Sequence, residues 1–94
     1  MNTAAKGHRN EHRSKRILET AGYAVTRAAG SLGAWDLVGV SATDVVPVQC
    51  ESNRPPSLAE REALTLFLSP SNCKRLVHVW HDRQRWPEVR GRGL

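Results

Sequence analysis

Apolar positions along the chain fall into short blocks of two different periods. From about Asn10 to Ala21, Ile17, Leu18 and Ala21 recur at helical spacing among polar residues, and Gly22 fits the left-handed position that ends a helix. Residues 1–7 carry no periodicity and read as a mobile arm. Tyr23 to Arg27 (YAVTR) has strand character, and AAGSLGA is a flexible, glycine-containing loop. Trp35 to Val40 (WDLVGV) predicts a second strand, with Asp36, Val38 and Val40 on one face. SATD is a turn, and Val45 to Glu51 predicts a third strand paired with the second. Pro47 fits that strand poorly, since it removes a ladder hydrogen bond and prefers edges or bulges.

NRPP then breaks the chain. Ser57 and Glu60 form a capping-box pair that opens a helix through about Leu68, where Pro70 stops it. Leu76 to Trp80 (LVHVW) is a fourth strand, with Leu76, His78 and Trp80 on one face and Val77 and Val79 on the other. Helix, three strands, helix, strand is the order of a small α/β layer structure. It occupies residues 10–82, between a basic arm (1–9) and an Arg-rich tail (83–94).

The length fits one small domain, whose limited core makes oligomerisation a sensible expectation. Aromatic residues are 5% of the chain, so aliphatic side chains must carry most of the packing. No apolar run is long enough to span a bilayer and the N-terminus lacks the apolar segment of a signal peptide, so a cytoplasmic protein is expected. Cys50 and Cys73 have no metal-type spacing. Cys50 falls on an apolar strand face as a small core residue, and no disulfide is expected in a reducing compartment.

Charge changes the picture. The net charge is +5, and eleven of the fourteen basic residues are Arg, whose planar fork of donors suits phosphate. Lys6, Arg9, Arg13, Lys15, Arg16 and Arg27 load the first third, and Arg83, Arg85, Arg90 and Arg92 load the tail. Asp36, Asp44, Glu51, Glu60 and Glu62 lie between them. Basic flanks around an acidic centre suit an anionic polymer held near a cation site.

The stretch VVPVQCESN carries the sharpest signal. A strand projects residues i and i+2 together, so Gln49 and Glu51 share a face at the end of an apolar strand. Adjacent strands can bring Asp36 beside them, and the first helix can add Glu11. Gathered carboxylates repel one another unless a cation compensates, and an oxygen-rich open site suits Mg²⁺ or Mn²⁺. The plainer alternative is that Glu11 and Glu51 are surface charges and Asp36 merely opens a strand.

The segments KGHRNEHRSKRILETAGYAVTRAAGSLGAWDLVGV and VVPVQCESNR resemble the PD-(D/E)xK nuclease superfamily and, within it, the archaeal-type Holliday junction resolvases. The resemblance covers about residues 6 to 80. It implies a restriction-endonuclease-like α-β-β-β-α-β core with a central mixed sheet. The family's helical Glu looks like Glu11, its Gly-Ser loop like Gly30-Ser31 after Arg27, and its strand Asp like Asp36. Gln49 and Glu51 stand at the (D/E)-x-K positions. Gln49 keeps a neutral carbonyl ligand, whereas Glu51 replaces the Lys that orients or activates water.

The resemblance thus implies Glu11, Asp36, Gln49 and Glu51 as metal-linked residues, with Ser31 contacting substrate or water. Arg9, Arg13, Lys15, Arg16, Arg27 and Arg54 would meet DNA. A homodimer is expected, and no organic cofactor or membrane. His8 to His12 also matches H-x-x-E-H, the inverted zinc-protease motif, but the chain leaves little room for that fold. His78 reads as a hydrogen-bonded sheet residue and His81 as the exposed end of its strand. Trp35, Trp80 and Trp86 read as packing residues, with base stacking as the other use of the last two.

Three functions follow. The first is a divalent-metal-dependent endonuclease for branched DNA. The second is a DNA-binding relative that has lost cleavage through Gln49 and Glu51. The third is a basic interaction module whose acidic trio is accidental.

Overall fold

The structure, a computed structural model, describes residues 3–28, 33–66, 71–91 and 94. Among the described residues seven elements run in the order α1 (Thr3–Thr20), β1 (Ala24–Arg27), β2 (Leu37–Val40), β3 (Val45–Ser52), α2 (Leu58–Thr65), β4 (Leu76–Trp80) and β5 (Glu88–Arg90). The strands form one mixed sheet in the order β1-β2-β3-β4-β5. Only β3 and β4 are parallel, joined through α2; the other neighbours are antiparallel. The expected α/β class and mixed sheet are present.

Local chemistry accounts for the boundaries. Gly22 has φ +100°, and the bonds Gly22 N–H to Glu19 O and Tyr23 N–H to Leu18 O close a Schellman turn. Tyr23 then packs in the same cluster as Leu18, the apolar contact that accompanies this cap. At α2 the capping box is complete: the Ser57 hydroxyl accepts from Glu60 N–H, and the Glu60 carboxylate accepts from Ser57 N–H, each at 3.2 Å. Arg75 donates to the carbonyls of Leu64 and Thr65 and so serves the other end of α2. The sequence-based helix end at Leu68 and Pro70 lies outside the described residues.

Pro47 sits in a strand paired on both sides, which its missing N–H should forbid. Val45 donates to Asn72 O and accepts from Lys74 N–H, so its polar groups point toward β4. Pro47, two residues on, turns its nitrogen the same way. The β4 ladder is interrupted there: it has a single bridge at Val45–Cys73 and resumes at Val48–Leu76. The proline faces the gap.

Two features depart from the reading by periodicity. Residues 3–9, expected as an arm, are the first turns of α1. They are tied down by partners distant in sequence: Lys6 pairs with Asp82 at 2.5 Å, and the Asn10 amide donates to the Ser52 hydroxyl at 2.8 Å. The tail adds β5, antiparallel to β4 in the register Val77–Arg90 to Val79–Glu88.

The sheet divides the core. On one face α1 covers Leu37, Val46 and Val48 with Leu18, and Cys50 and Leu76 pack against them. On the other, Leu64 of α2 meets Trp35, Val77, Val79 and Leu94. Trp35 is therefore a core residue.

A buried polar node fixes α1 to its face of the sheet. Trp80 Nε1–H donates to the Ser14 hydroxyl at 2.8 Å, and the same hydroxyl is hydrogen-bonded to His78 Nδ1, also at 2.8 Å. Burial pushes the His78 pKa down to about 4, so the ring is neutral at pH 7. Ser14→Ala would orphan the indole N–H and the imidazole nitrogen, at a cost of about 1–3 kcal/mol. Thermal unfolding should show a Tm lowered by at least about 4 °C. An unchanged Tm would mean the node adds nothing to stability.

Candidate active site

Asp36 immediately precedes β2 and is stitched into both neighbouring strands. Its N–H donates to Val48 O at 2.9 Å, and its carbonyl accepts from Ala28 N–H at 2.8 Å. The side chain turns toward β3, where Oδ2 accepts the N–H of Cys50 at 2.8 Å. Cys50 lies between Gln49 and Glu51, so the carboxylate is fastened to the middle of the doublet. Burial raises the Asp36 pKa and the nearby Glu11 raises it further, while the Cys50 N–H and Arg27 pull it down.

Gln49 is 7% exposed, and its Oε1 is buried with no hydrogen-bond partner. A buried acceptor left unmade costs about 1–3 kcal/mol, so this oxygen marks a place built for a donor or a cation. Glu51, two residues on, has its pKa raised to about 7. Burial is the largest cause; a hydrogen bond and repulsion from Glu60 at the N-terminus of α2 follow, with Asp36 adding to them and Arg54 opposing. The capping-box carboxylate of Glu60 thus lies close enough to Glu51 to favour its protonated form. Sequence spacing links Glu60 to Ser57 and offers no signal for this second contact.

Glu11 is placed differently from expectation. Arg27 Nε donates to Glu11 Oε1 at 3.1 Å, across the outer flank of α1. Glu11 influences Asp36 electrostatically, yet among the described residues no three His, Cys, Asp or Glu side chains gather as a metal-holding group. The expected cluster of Glu11, Asp36 and Glu51 is therefore open, because Arg27 engages the first acid and Glu60 the third. The same finding leaves the H-x-x-E-H stretch without a metal group. His8, Glu11 and His12 instead line a cavity of about 340 Å³ with Lys15, Arg27 and Leu37. Ser31 lies outside the described residues.

The oxygen donors present nevertheless suit a hard divalent ion. Asp36, Glu51 and the unpartnered Gln49 Oε1 are all oxygen ligands of the type Mg²⁺ and Mn²⁺ take. Cys50 does not compete, since burial pushes its thiol up to about 12 and keeps it protonated.

The basic residues divide along α1. Arg13 stacks on Trp80 at 3.9 Å and donates to the carbonyls of Gln84 and Arg85, holding the chain before β5 against the helix. Lys15 lies 3.9 Å from Glu19, whereas Arg9, Arg16 and Arg54 are exposed. Asp44, counted among the central acids, belongs to the β2–β3 turn. It accepts from Ser41 and from Tyr23 OH and pairs with Lys74. His81 lies 3.3 Å from Glu88, in an ion pair when protonated.

Comparison with known proteins places this geometry. The archaeal Holliday junction resolvase (Hjc) family matches residues 2–88. The chain belongs to this family. Hjc is a member of the PD-(D/E)xK nuclease superfamily, as the order of Asp36, Gln49 and Glu51 suggested. Among solved structures, the chain is similar to Archaeoglobus fulgidus Hjc, a Holliday junction resolvase from an archaeal hyperthermophile. The two share 25% identity with a TM-score of 0.68, over 86% of this chain and 69% of that one. No curated protein matches the sequence. Among the described residues, no helix is long and apolar enough to cross a membrane.

The Glu51 proton has a measurable consequence. The folded chain holds it up to pH about 7, whereas an ordinary Glu releases it near 4.5, so between those values the folded state binds more protons. The stabilisation from this group is full below 4.5 and is lost as pH rises through about 7. Denaturant unfolding across that window should show wild type losing stability relative to Glu51→Gln, with the difference level above it. A flat difference throughout would mean that Glu51 titrates as an ordinary carboxylate.

Proposed function

We propose that this Hjc-family chain is a divalent-metal-dependent endonuclease that hydrolyses phosphodiester bonds in branched DNA. The observation that carries this reading is the Asp36 carboxylate bonded to the N–H of Cys50, the residue between Gln49, whose amide oxygen is orphaned, and Glu51. Asp36, Gln49 and Glu51 would hold Mg²⁺ or Mn²⁺. The ion, when bound, supplies charge stabilisation at the phosphoryl oxygens and makes a water more acidic.

The remaining work falls to the chain's own side chains. Where Asp36 and the Gln49 oxygen hold the ion and Glu51 does not, burial and Glu60 lift the Glu51 pKa and make its carboxylate a stronger base than an ordinary Glu for accepting a proton from the attacking water. Arg27, close to Glu11 and Asp36, is positioned to receive a phosphate oxygen when Glu11 releases it. Arg9, Arg16, Lys15 and Arg54 supply exposed or half-exposed positive charge for the backbone, while Arg13 acts by anchoring the β4–β5 segment. Ser31 is proposed as a substrate or water contact. A four-way junction has two strands to cut, and one chain carries one such site, so a homodimer is the working unit proposed.

One observation favours a second reading, a DNA-binding relative that does not cut. Glu51 stands where the family carries Lys, so an acid beside Glu60 takes the place of a water-orienting cation.

Cleavage of a labelled four-way junction and a matched duplex in Mg²⁺, Mn²⁺ or EDTA distinguishes the two. The nuclease reading expects junction-selective nicks that need the ion and fall about 100-fold or more in Asp36→Ala. Nicking that survives in Asp36→Ala would place the chemistry elsewhere. Binding without cutting, with activity appearing only in Glu51→Lys, would establish the second reading.

A further inference from the structure

A second cleft lies on the opposite flank of α1 from Glu11 and Arg27. It has a volume of about 360 Å³, with a floor and wall made by Trp80, Ile17 and Thr20. Trp86 stands at its mouth, 64% exposed, in a chain with only five aromatic residues. Three guanidinium groups, Arg13, Arg16 and Arg85, line the cleft, and among the described residues no carboxylate does.

The arginines do different work. Arg13 is committed to the fold: it lies flat on Trp80 and its remaining donors go to Asn10, Gln84 and Arg85. Those partners are neutral, so its positive charge stays uncompensated at the floor. Arg16, one turn along α1, is exposed. Arg85 lies over the Trp86 ring at 5.4 Å, which steadies the indole and leaves guanidinium donors at the rim.

A flat, exposed indole beside uncompensated guanidinium groups matches one kind of ligand, a planar ring joined to an anion. We propose that this cleft binds an unpaired nucleotide of a DNA strand, its base stacked on Trp86 and its phosphate held by Arg16 and Arg85. In a duplex the faces of the bases are covered by their neighbours, and only edges and phosphates are offered. A face is free only where stacking is broken, in a single strand or beside a branch point. The cleft therefore adds selectivity for unpaired nucleotides to a chain whose other flank carries the Asp36 site. It rests on the DNA reading above, but not on cleavage.

Fluorescence anisotropy in EDTA, where nothing is cut, separates these dependences. The probes are a short labelled single strand and a duplex of the same length, titrated with the full chain as wild type, Trp86→Ala and Trp86→Phe. Loss of one stacking contact should weaken Trp86→Ala on the single strand by about 5- to 100-fold. Trp86→Phe should recover most of that, and duplex affinity should stay within about twofold throughout. Equal losses on both probes, or none on either, would overturn the site. Sedimentation of each variant is the companion measurement: a dimer that Trp86→Ala splits into monomers would assign the cleft to a second copy instead. A wild type that binds neither probe would overturn the DNA reading itself, whereas binding of both with Trp86→Ala unchanged would overturn this site alone.

Discussion

β3 is bonded to β2 on one side and to β4 on the other, and almost everything else takes its position from that strand. A strand in the middle of a sheet cannot slip by one residue without turning its whole apolar set to the wrong face. Here the penalty is doubled because both faces are covered. Val46 and Val48 face α1, while Gln49 and Glu51 share the opposite face with Val77 and Val79 of β4, beneath α2. The register that buries the valines is thus the register that brings the polar pair to the end of the strand. The Cys50 N–H then receives Asp36 from the neighbouring strand.

Helix α1 is the second body, and its attachment is polar as well as apolar. Ser14 links Trp80 and His78, Asn10 reaches Ser52, and Lys6 reaches Asp82. All of these partners lie on β3, β4 or the turn after β4. With the helix so anchored, Glu11 is delivered to one flank and Arg16 to the other. The same rotation therefore separates the acid beside Asp36 from the arginines beside Trp86. Two chemistries on two sides of one helix follow from its pitch and from where Ser14 sits.

At the end of β3 the strand presents Glu51 beside Asp36, an acid next to other acids. Burial first, and then the neighbouring Glu60, raise the Glu51 pKa to about 7. The Gln49 amide oxygen stays buried and unpartnered, the one feature of the site that a bound cation would satisfy directly.

The amino-acid sequence by itself determined the features that depend on near neighbours. Gly22 ended α1, Ser57 and Glu60 opened α2, and the alternation in VVPVQCES set Gln49 and Glu51 on one face. Those are contacts between residues a few positions apart, and the chemistry of each is local. The motif order from Glu11 to Glu51 was legible as well, because a family resemblance is carried in the linear pattern. Only the tertiary structure decided the rest. The first turns of α1 have weak periodicity and exist through Lys6–Asp82, a pair far apart in the chain. β5 is three residues long and is a strand only because β4 has a free edge beside it. Glu11 bonds to Arg27 rather than completing an acidic cluster, and Glu60 serves Glu51 as well as its own helix cap. Arg13 looks like a phosphate contact in the sequence and is a tether in the fold. A side chain's partner across the fold is set by packing, which sequence spacing does not encode.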